Sequence, residues 1–183
     1  SVEELQAIIG AYDGLAIRSA TKVTEAVLAA ADNLKVVGRA GIGVDNVDIA
    51  AATKRGVVVM NTPHGNAVTT AEHAIAMMLA LARQIPQASH STKAGKWEKS
   101  RVMGTEVPGK CLGLVGCGNI GSIVADRAQG LRMRLVGYDP YLSEENAKRM
   151  GVEKVDLDEL LRRADFISIH TPMTAATRNI IGA

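Results

Sequence analysis

Residues 110–139 constrain this chain more than any other stretch. They read KCLGLVGCGNIGSIVADRAQGLRMRLVGYD. An apolar run with Leu112, Leu114 and Val115 leads into the turn Gly116-Cys117-Gly118-Asn119-Ile120-Gly121. Ile120, Ile123, Val124 and Ala128 follow at helical spacing, and a second apolar run ends at Asp139. Strand, Gly-rich turn, helix and strand with a terminal acid make a βαβ unit. Gly116 lets the chain turn sharply off the strand. Gly118 has no Cβ, so a pyrophosphate can approach the backbone, and Gly121 lets the helix sit close to the sheet. The helix start presents free N–H groups and a positive dipole end to the phosphates. Asp139, eighteen residues past Gly121, can accept hydrogen bonds from both ribose hydroxyls. A 2′-phosphate there would meet a negative charge, and Pro140 and Tyr141 follow with no Arg beside them to pair with it. The unit reads as a dinucleotide site that favours NAD over NADP. A lone Gly-rich turn can also be purely structural; the flanking strand and helix are what argue against that here.

The remaining chain fits around such a unit. Its 183 residues suit one domain or pieces of two. Aromatic residues are 3%, so the core must be built from Ala, Val, Leu, Ile and Met. The net charge of +2, without a basic run, argues against a nucleic-acid partner. No apolar stretch is long enough to span a membrane and no signal peptide opens the sequence. Cys111 and Cys117 fall on a buried-type strand and in the turn, which argues against a disulfide and for a reducing, cytoplasmic setting. No metal-ligand spacing and no nucleophile motif is present.

Residues 1–63 repeat one pattern. Helical stretches at 2–9, 24–31 and 47–55 alternate with short apolar strands at 15–17, 34–37 and 57–60. Ser1 and Glu4 are spaced as a capping box. Short apolar strands alternating with helices imply a parallel sheet covered on both faces. Thr69 and Glu72 form a second capping-box pattern, opening a long helix that ends before Pro86. That helix is apolar nearly all round and is expected to be buried between domains or subunits. Residues 87–109 are polar, surround the single Trp97, and read as an arm. Beyond the βαβ unit, a helix after Tyr141, a short strand at 152–155, a helix at 157–164 and a strand at 166–169 are expected. The fold class is α/β: a doubly wound parallel, Rossmann-like cofactor domain over 65–183 including the linking helix, and a partial flavodoxin-like substrate domain over 1–64.

Ligands of parallel α/β sheets sit at the carboxyl ends of strands. In residues 1–63 those ends carry Arg18, Arg39 and Asn61. Two guanidiniums and an amide suit a small anion with more than one charged group. The Gly41-Ile42-Gly43 loop can add backbone N–H groups. The alternative is that both arginines make structural ion pairs, with Asp13 or Asp45. Of the histidines, His73 reads as packing and His90 as solvated. His64 and His170 follow strand ends without an evident carboxylate partner, so neither is nominated as a base.

The stretches RSATKVT (18–24), VVGRAGIGVDNVD (36–48), VMNTPHGN (59–66), ARQIPQA (82–88), GKWE (95–98), LGLVGCGNIG (112–121) and GYDP (137–140) resemble the D-2-hydroxyacid dehydrogenase family, in its order and over essentially the whole chain. The first two most resemble the members that act on a phosphorylated hydroxy acid. The resemblance implies a substrate domain carrying an inserted cofactor domain. It implies NAD-dependent oxidation of 3-phospho-D-glycerate to 3-phosphohydroxypyruvate, the first step of serine synthesis. Family substrate contacts map onto Arg18, Arg39, Asn61, Ile42 and Gly43. Cofactor contacts map onto Gly118, Asn119, Ile120, Asp139 and Thr171, with Gly116, Gly121 and Pro140 completing the set. A homodimer or tetramer is implied through residues 70–101, with Lys99 or Arg101 reaching the partner subunit's substrate phosphate. The family's catalytic Arg and Glu–His pair correspond to nothing between residues 1 and 183. The sequence therefore reads as a piece lacking both ends and is expected to be catalytically inert by itself. The alternatives are an NAD-sensing interaction module of the same fold, like the family's corepressors, or a dehydrogenase of an unphosphorylated acid such as glycerate.

Overall fold

The structure, a computed structural model, describes residues 1–182 and resolves into two compact units. One contains Ser1–Ala67 and the segment from Pro172 onward; the other is Val68–Thr171.

In the first unit three strands, β1 (Gly14–Ile17), β2 (Val36–Arg39) and β3 (Val58–Asn61), form a parallel sheet in the order β1-β2-β3. Helix α1 (Val2–Ile8) leads into β1, and α2 (Glu25–Ala29) and α3 (Ile49–Lys54) connect the strands. The Ser1/Glu4 capping box forms in full, and Thr24 and Asp48 cap α2 and α3. The core gathers Ile9, Val27, Leu28, Val37 and Ala52, all nearly inaccessible. Strand bounds differ from the sequence pattern by a residue or two. Pairing decides them: β2 runs two residues further than expected because Gly38 and Arg39 still find partners in Ala16 and Ile17 on one side and Met60 and Asn61 on the other.

The second unit is a four-stranded parallel sheet in the order β6-β5-β4-β7. Its strands are β4 (Cys111–Val115), β5 (Arg134–Tyr138), β6 (Glu153–Lys154) and β7 (Phe166–Ile169). The order reverses at β4, and doubly wound sheets bind ligands at such a switch point. Every residue of β4 is buried. Gly113 is required there, because a Cβ would lie 2.6 Å from Leu160 Cδ2 and 3.0 Å from Ala164 Cβ. Helix α6 (Asn119–Gly130) follows β4, and α7 (Glu144–Arg149) and α8 (Leu157–Arg163) close the unit's other connections.

Two expectations fail in the segment before β4. Helix α4 (Ala67–Ala82) starts two residues before Thr69, so Thr69 is an interior residue and its capping box with Glu72 does not form. Ala67, buried and helix-competent, draws the first turn upstream. The polar arm is partly a helix, α5 (Ile85–Lys93). Pro86 read as a stop, yet it occupies the first turn of α5, where its missing N–H costs nothing. Gln84, in the left-handed region at φ 51°, makes the break. Within this chain Ala71 of α4 is inaccessible, while Met77 is 59% and Leu81 71% exposed. Among the described residues, no helix is long and apolar enough to cross a membrane.

Candidate functional site

The turn after β4 is shaped by side chains that are missing. Gly116 has φ +95°, and a Cβ there would lie 2.9 Å from the His170 backbone and 3.0 Å from Thr171 Cγ2. A Cβ on Gly121 would run into the Gly116 carbonyl oxygen. At Gly118 the same construction meets nothing within 4 Å. Gly116, Gly121 and Thr171 thus brace the turn, while Gly118 leaves its outer side open. Gly118 is also the N-cap of α6, and no side chain caps that terminus. The first amides of a twelve-residue helix are left facing open space with the helix dipole behind them.

A cavity of about 620 Å³ opens at this point, lined by Cys117, Gly118, Asn119 and Ser122 on one side and Asp139 and Tyr141 on the other. Asp139 is oriented by backbone donors. Its Oδ2 accepts from the Cys117 N–H at 2.9 Å and its Oδ1 from the Tyr141 N–H at 2.8 Å. Each oxygen keeps a free lone pair for a hydroxyl donor. Pro140 is exposed beside it, and the Ile120 side chain packs on the core, which leaves only its backbone for a ligand. An uncapped helix start, an open glycine and a fixed carboxylate on one cavity fit a dinucleotide's pyrophosphate and ribose.

Two neighbouring groups are quiet. Burial, and secondarily the Asp139 charge, push the Cys117 thiol up to about 11, so it stays protonated; both cysteines are free. His170 is half-buried with Nε2 2.8 Å from Ser168 Oγ, and burial lowers its pKa below the usual imidazole value.

The second cluster lies at the carboxyl ends of β1–β3. Strand register puts Arg39 level with Ile17 and with Asn61, and Arg18 is the residue after Ile17. The ion pairs that would explain the arginines structurally do not form. Asp13 is bound to Lys35 at 2.8 Å, and neither Arg18 nor Arg39 pairs with a carboxylate among the described residues. The Arg39 guanidinium lies over Gly41, where a Cβ would collide with it, and its Nε is buried without an acceptor. A buried charged donor left unpaired is costly, and an incoming anion removes that cost.

The loop after β2 is held by its carbonyls. Asn61 Nδ2 donates to the Ile42 carbonyl at 2.7 Å, and the Thr62 N–H to the Gly41 carbonyl at 3.0 Å. The Ile42 and Gly43 N–H groups donate to nothing among the described residues. Asn61 therefore braces the loop rather than standing free at the strand end. Sequence reasoning missed Asn46, whose carboxamide joins this loop to the one after β1 at Arg18. Its one sequence signal is an amide between Val44 and Val47 in a stretch that is otherwise apolar or acidic.

Residues 75–183 match the family described as D-isomer specific 2-hydroxyacid dehydrogenase, NAD binding domain. The chain is 52% identical over its full length to D-3-phosphoglycerate dehydrogenase of Synechocystis and covers 33% of that protein. It is likewise 52% identical to D-3-phosphoglycerate dehydrogenase of Archaeoglobus fulgidus, of which it covers 34%. It thus spans about a third of the length of these relatives. Among solved structures, D-lactate dehydrogenase from Aquifex aeolicus, complexed with NAD and lactic acid, superposes with a TM-score of 0.89 at 29% identity, covering 96% of this chain and 53% of that one.

Proposed function

This chain belongs to the D-isomer specific 2-hydroxyacid dehydrogenase family, and on that premise we propose that it serves NAD-dependent oxidation of 3-phospho-D-glycerate to 3-phosphohydroxypyruvate. The observation that carries the substrate is the pair Arg18 and Arg39, at adjacent strand ends and without carboxylate partners among the described residues. A substrate with both a phosphate and a carboxylate supplies two anionic groups for two guanidiniums. The Ile42 and Gly43 amides orient the anion, and Asn61 holds their loop in place. Relatives 52% identical over the whole chain bear the name of the phosphoglycerate enzyme.

On the cofactor side, the Gly118, Asn119 and Ile120 backbone receives the pyrophosphate. Gly116 and Gly121 keep the turn tight, and Asp139, flanked by Pro140, receives the ribose hydroxyls. Thr171 closes the turn from behind. When bound, NAD would supply the acceptor for the C2 hydride; the residues here bind and orient, and none of the described residues is nominated as the base for the hydroxyl proton. Exposed Met77, Leu81, Ile85 and Trp97, together with the rest of 70–101, form the surface for a homodimer or tetramer. Substrate and assembly are those of a protein as long as its relatives.

Calorimetric titration of the chain with 3-phosphoglycerate, and with glycerate in parallel, tests this reading. Arg18→Ala is expected to weaken phosphoglycerate binding about tenfold to a hundredfold, the loss of one or two charge-assisted hydrogen bonds. Equal binding of glycerate would favour an unphosphorylated acid. Binding of NAD with neither acid would favour an NAD-sensing interaction module.

A further inference from the structure

Asn46 spends both hydrogens of its carboxamide on one segment. Nδ2 donates to the Arg18 carbonyl at 2.9 Å and to the Thr21 carbonyl at 2.6 Å. The backbone reinforces the contact: the Val23 N–H donates to the Asn46 carbonyl at 2.8 Å and the Asp48 N–H to the Val23 carbonyl at 2.9 Å. The remaining atom, Asn46 Oδ1, is buried without a donor. Flipping the amide does not relieve it, because the oxygen would then face two carbonyls. An apolar residue of similar size would carry no orphaned acceptor, but it would take from the Thr21 carbonyl the donor it has here. What such a residue cannot do is hold two carbonyls from one point.

We infer that Asn46 is a positioning residue that sets the aim of Arg18. The inference rests on the anion site proposed above. Arg18 is exposed and has no ion-pair partner among the described residues, so nothing at its tip directs it. Its direction is fixed from the backbone, and the Arg18 carbonyl is the atom that Asn46 grips. Asn46 belongs to the same β2–α3 connection as Gly41, Ile42 and Gly43, which lies over Arg39 and is braced by Asn61. The carboxamide thereby ties the guanidinium after β1 to the loop that carries the other anion-binding groups. An anion that orders one is met by the other already in place, the advantage of a preorganised site.

A double-mutant cycle on the 183-residue chain tests this, with 3-phosphoglycerate as the probe and NAD binding as the control for an intact second unit. Asn46→Leu removes the grip and the orphan together. The expected result is about a tenfold loss of phosphoglycerate affinity, the worth of one misplaced charge-assisted contact. In an Arg18→Ala background the same change should cost less than about twofold, because the residue it acts through is gone. If Asn46→Leu unfolds the first unit, Asn46→Ser, uncharged and with a hydroxyl too short to hold both carbonyls, takes its place. Undiminished loss in the Arg18→Ala background would show a merely structural role and overturn the inference. So would affinity within twofold of wild type in Asn46→Leu while Arg18→Ala binds weakly; the anion site would then stand without the positioning residue. Wild-type affinity in Arg18→Ala itself would instead sink the anion-site reading, and the inference with it.

Discussion

The two ends of this molecule proposed to face ligands are built by opposite means. In the second unit the turn after β4 is fixed by what glycines lack: Gly116, Gly121 and Gly113 each sit where a Cβ would strike backbone or core. In the first unit the loops after β1 and β2 are fixed by what side chains add, the carboxamides of Asn46 and Asn61. A pyrophosphate has to come close to backbone, which suits a bare turn. A small doubly charged acid is held by long cationic side chains, which need their loops pinned from the side. The first arrangement tolerates almost no substitution at Gly113, Gly116 and Gly121, whereas the second absorbs changes at its flexible tips and loses binding before stability.

The largest expected effects concern the cores beneath the two ends. Leu160→Ala and Leu28→Ala, at positions with no exposure, should each cost about 2–5 kcal/mol. Amide exchange is expected to quicken in β4 and β5 for the first and in β1 and β2 for the second. Next come the glycines, which put the contrast directly to the test. Gly121→Ala forces a Cβ into the Gly116 carbonyl and should cost about 1–3 kcal/mol, read by thermal unfolding, together with NAD binding. Gly38→Ala, on β2 of the first unit, meets nothing within 4 Å. It should change stability by less than about 0.5 kcal/mol. Equal destabilisation by the two would break the comparison.

A smaller effect is expected from pH. Burial lowers the His170 pKa from 6.5, so the folded second unit prefers the neutral ring. The unfolded chain then binds the proton more readily, and the stability from the neutral ring, complete above pH 6.5, is lost as pH falls through the folded value. In the first unit the Asp13 carboxyl is held below 3.8 by its hydrogen bond to Lys35. Its contribution is present above 3.8 and is lost only as pH falls below that. Unfolding followed by amide exchange from pH 7 to 4.5 should weaken the second unit first, and His170→Gln should flatten that slope. The smallest effect is chemical: with its thiol pushed up to about 11, Cys117 should alkylate slowly at pH 8 in the folded chain and readily once unfolded.

What the sequence disclosed follows the same division. The β4 and β7 bounds, the turn and Asp139 were legible because glycine spacing and apolar runs are local signals. Arg18 and Arg39 were legible as strand-end residues, but the absence of their ion pairs was not, because Lys35 claims Asp13 across the β1–β2 pairing. Asn46 stayed hidden because its partners, Arg18 and Thr21, lie 28 and 25 residues away and are backbone atoms without sequence identity. Helix α5 was lost to a rule about Pro86 that holds inside helices and reverses in their first turn.

The central claim is that one chain carries a dinucleotide site on the β4 turn and an anion site on the β1–β3 ends. Amide and Arg side-chain NMR signals, followed while NAD and then 3-phosphoglycerate are added, test it most directly. The account predicts that NAD shifts the amides of 117–122 and 139–141, and that phosphoglycerate shifts those of 42–43 and the Nε–H signals of Arg18 and Arg39. Phosphoglycerate shifts confined to other residues, or NAD leaving the 117–122 amides unmoved, would contradict it.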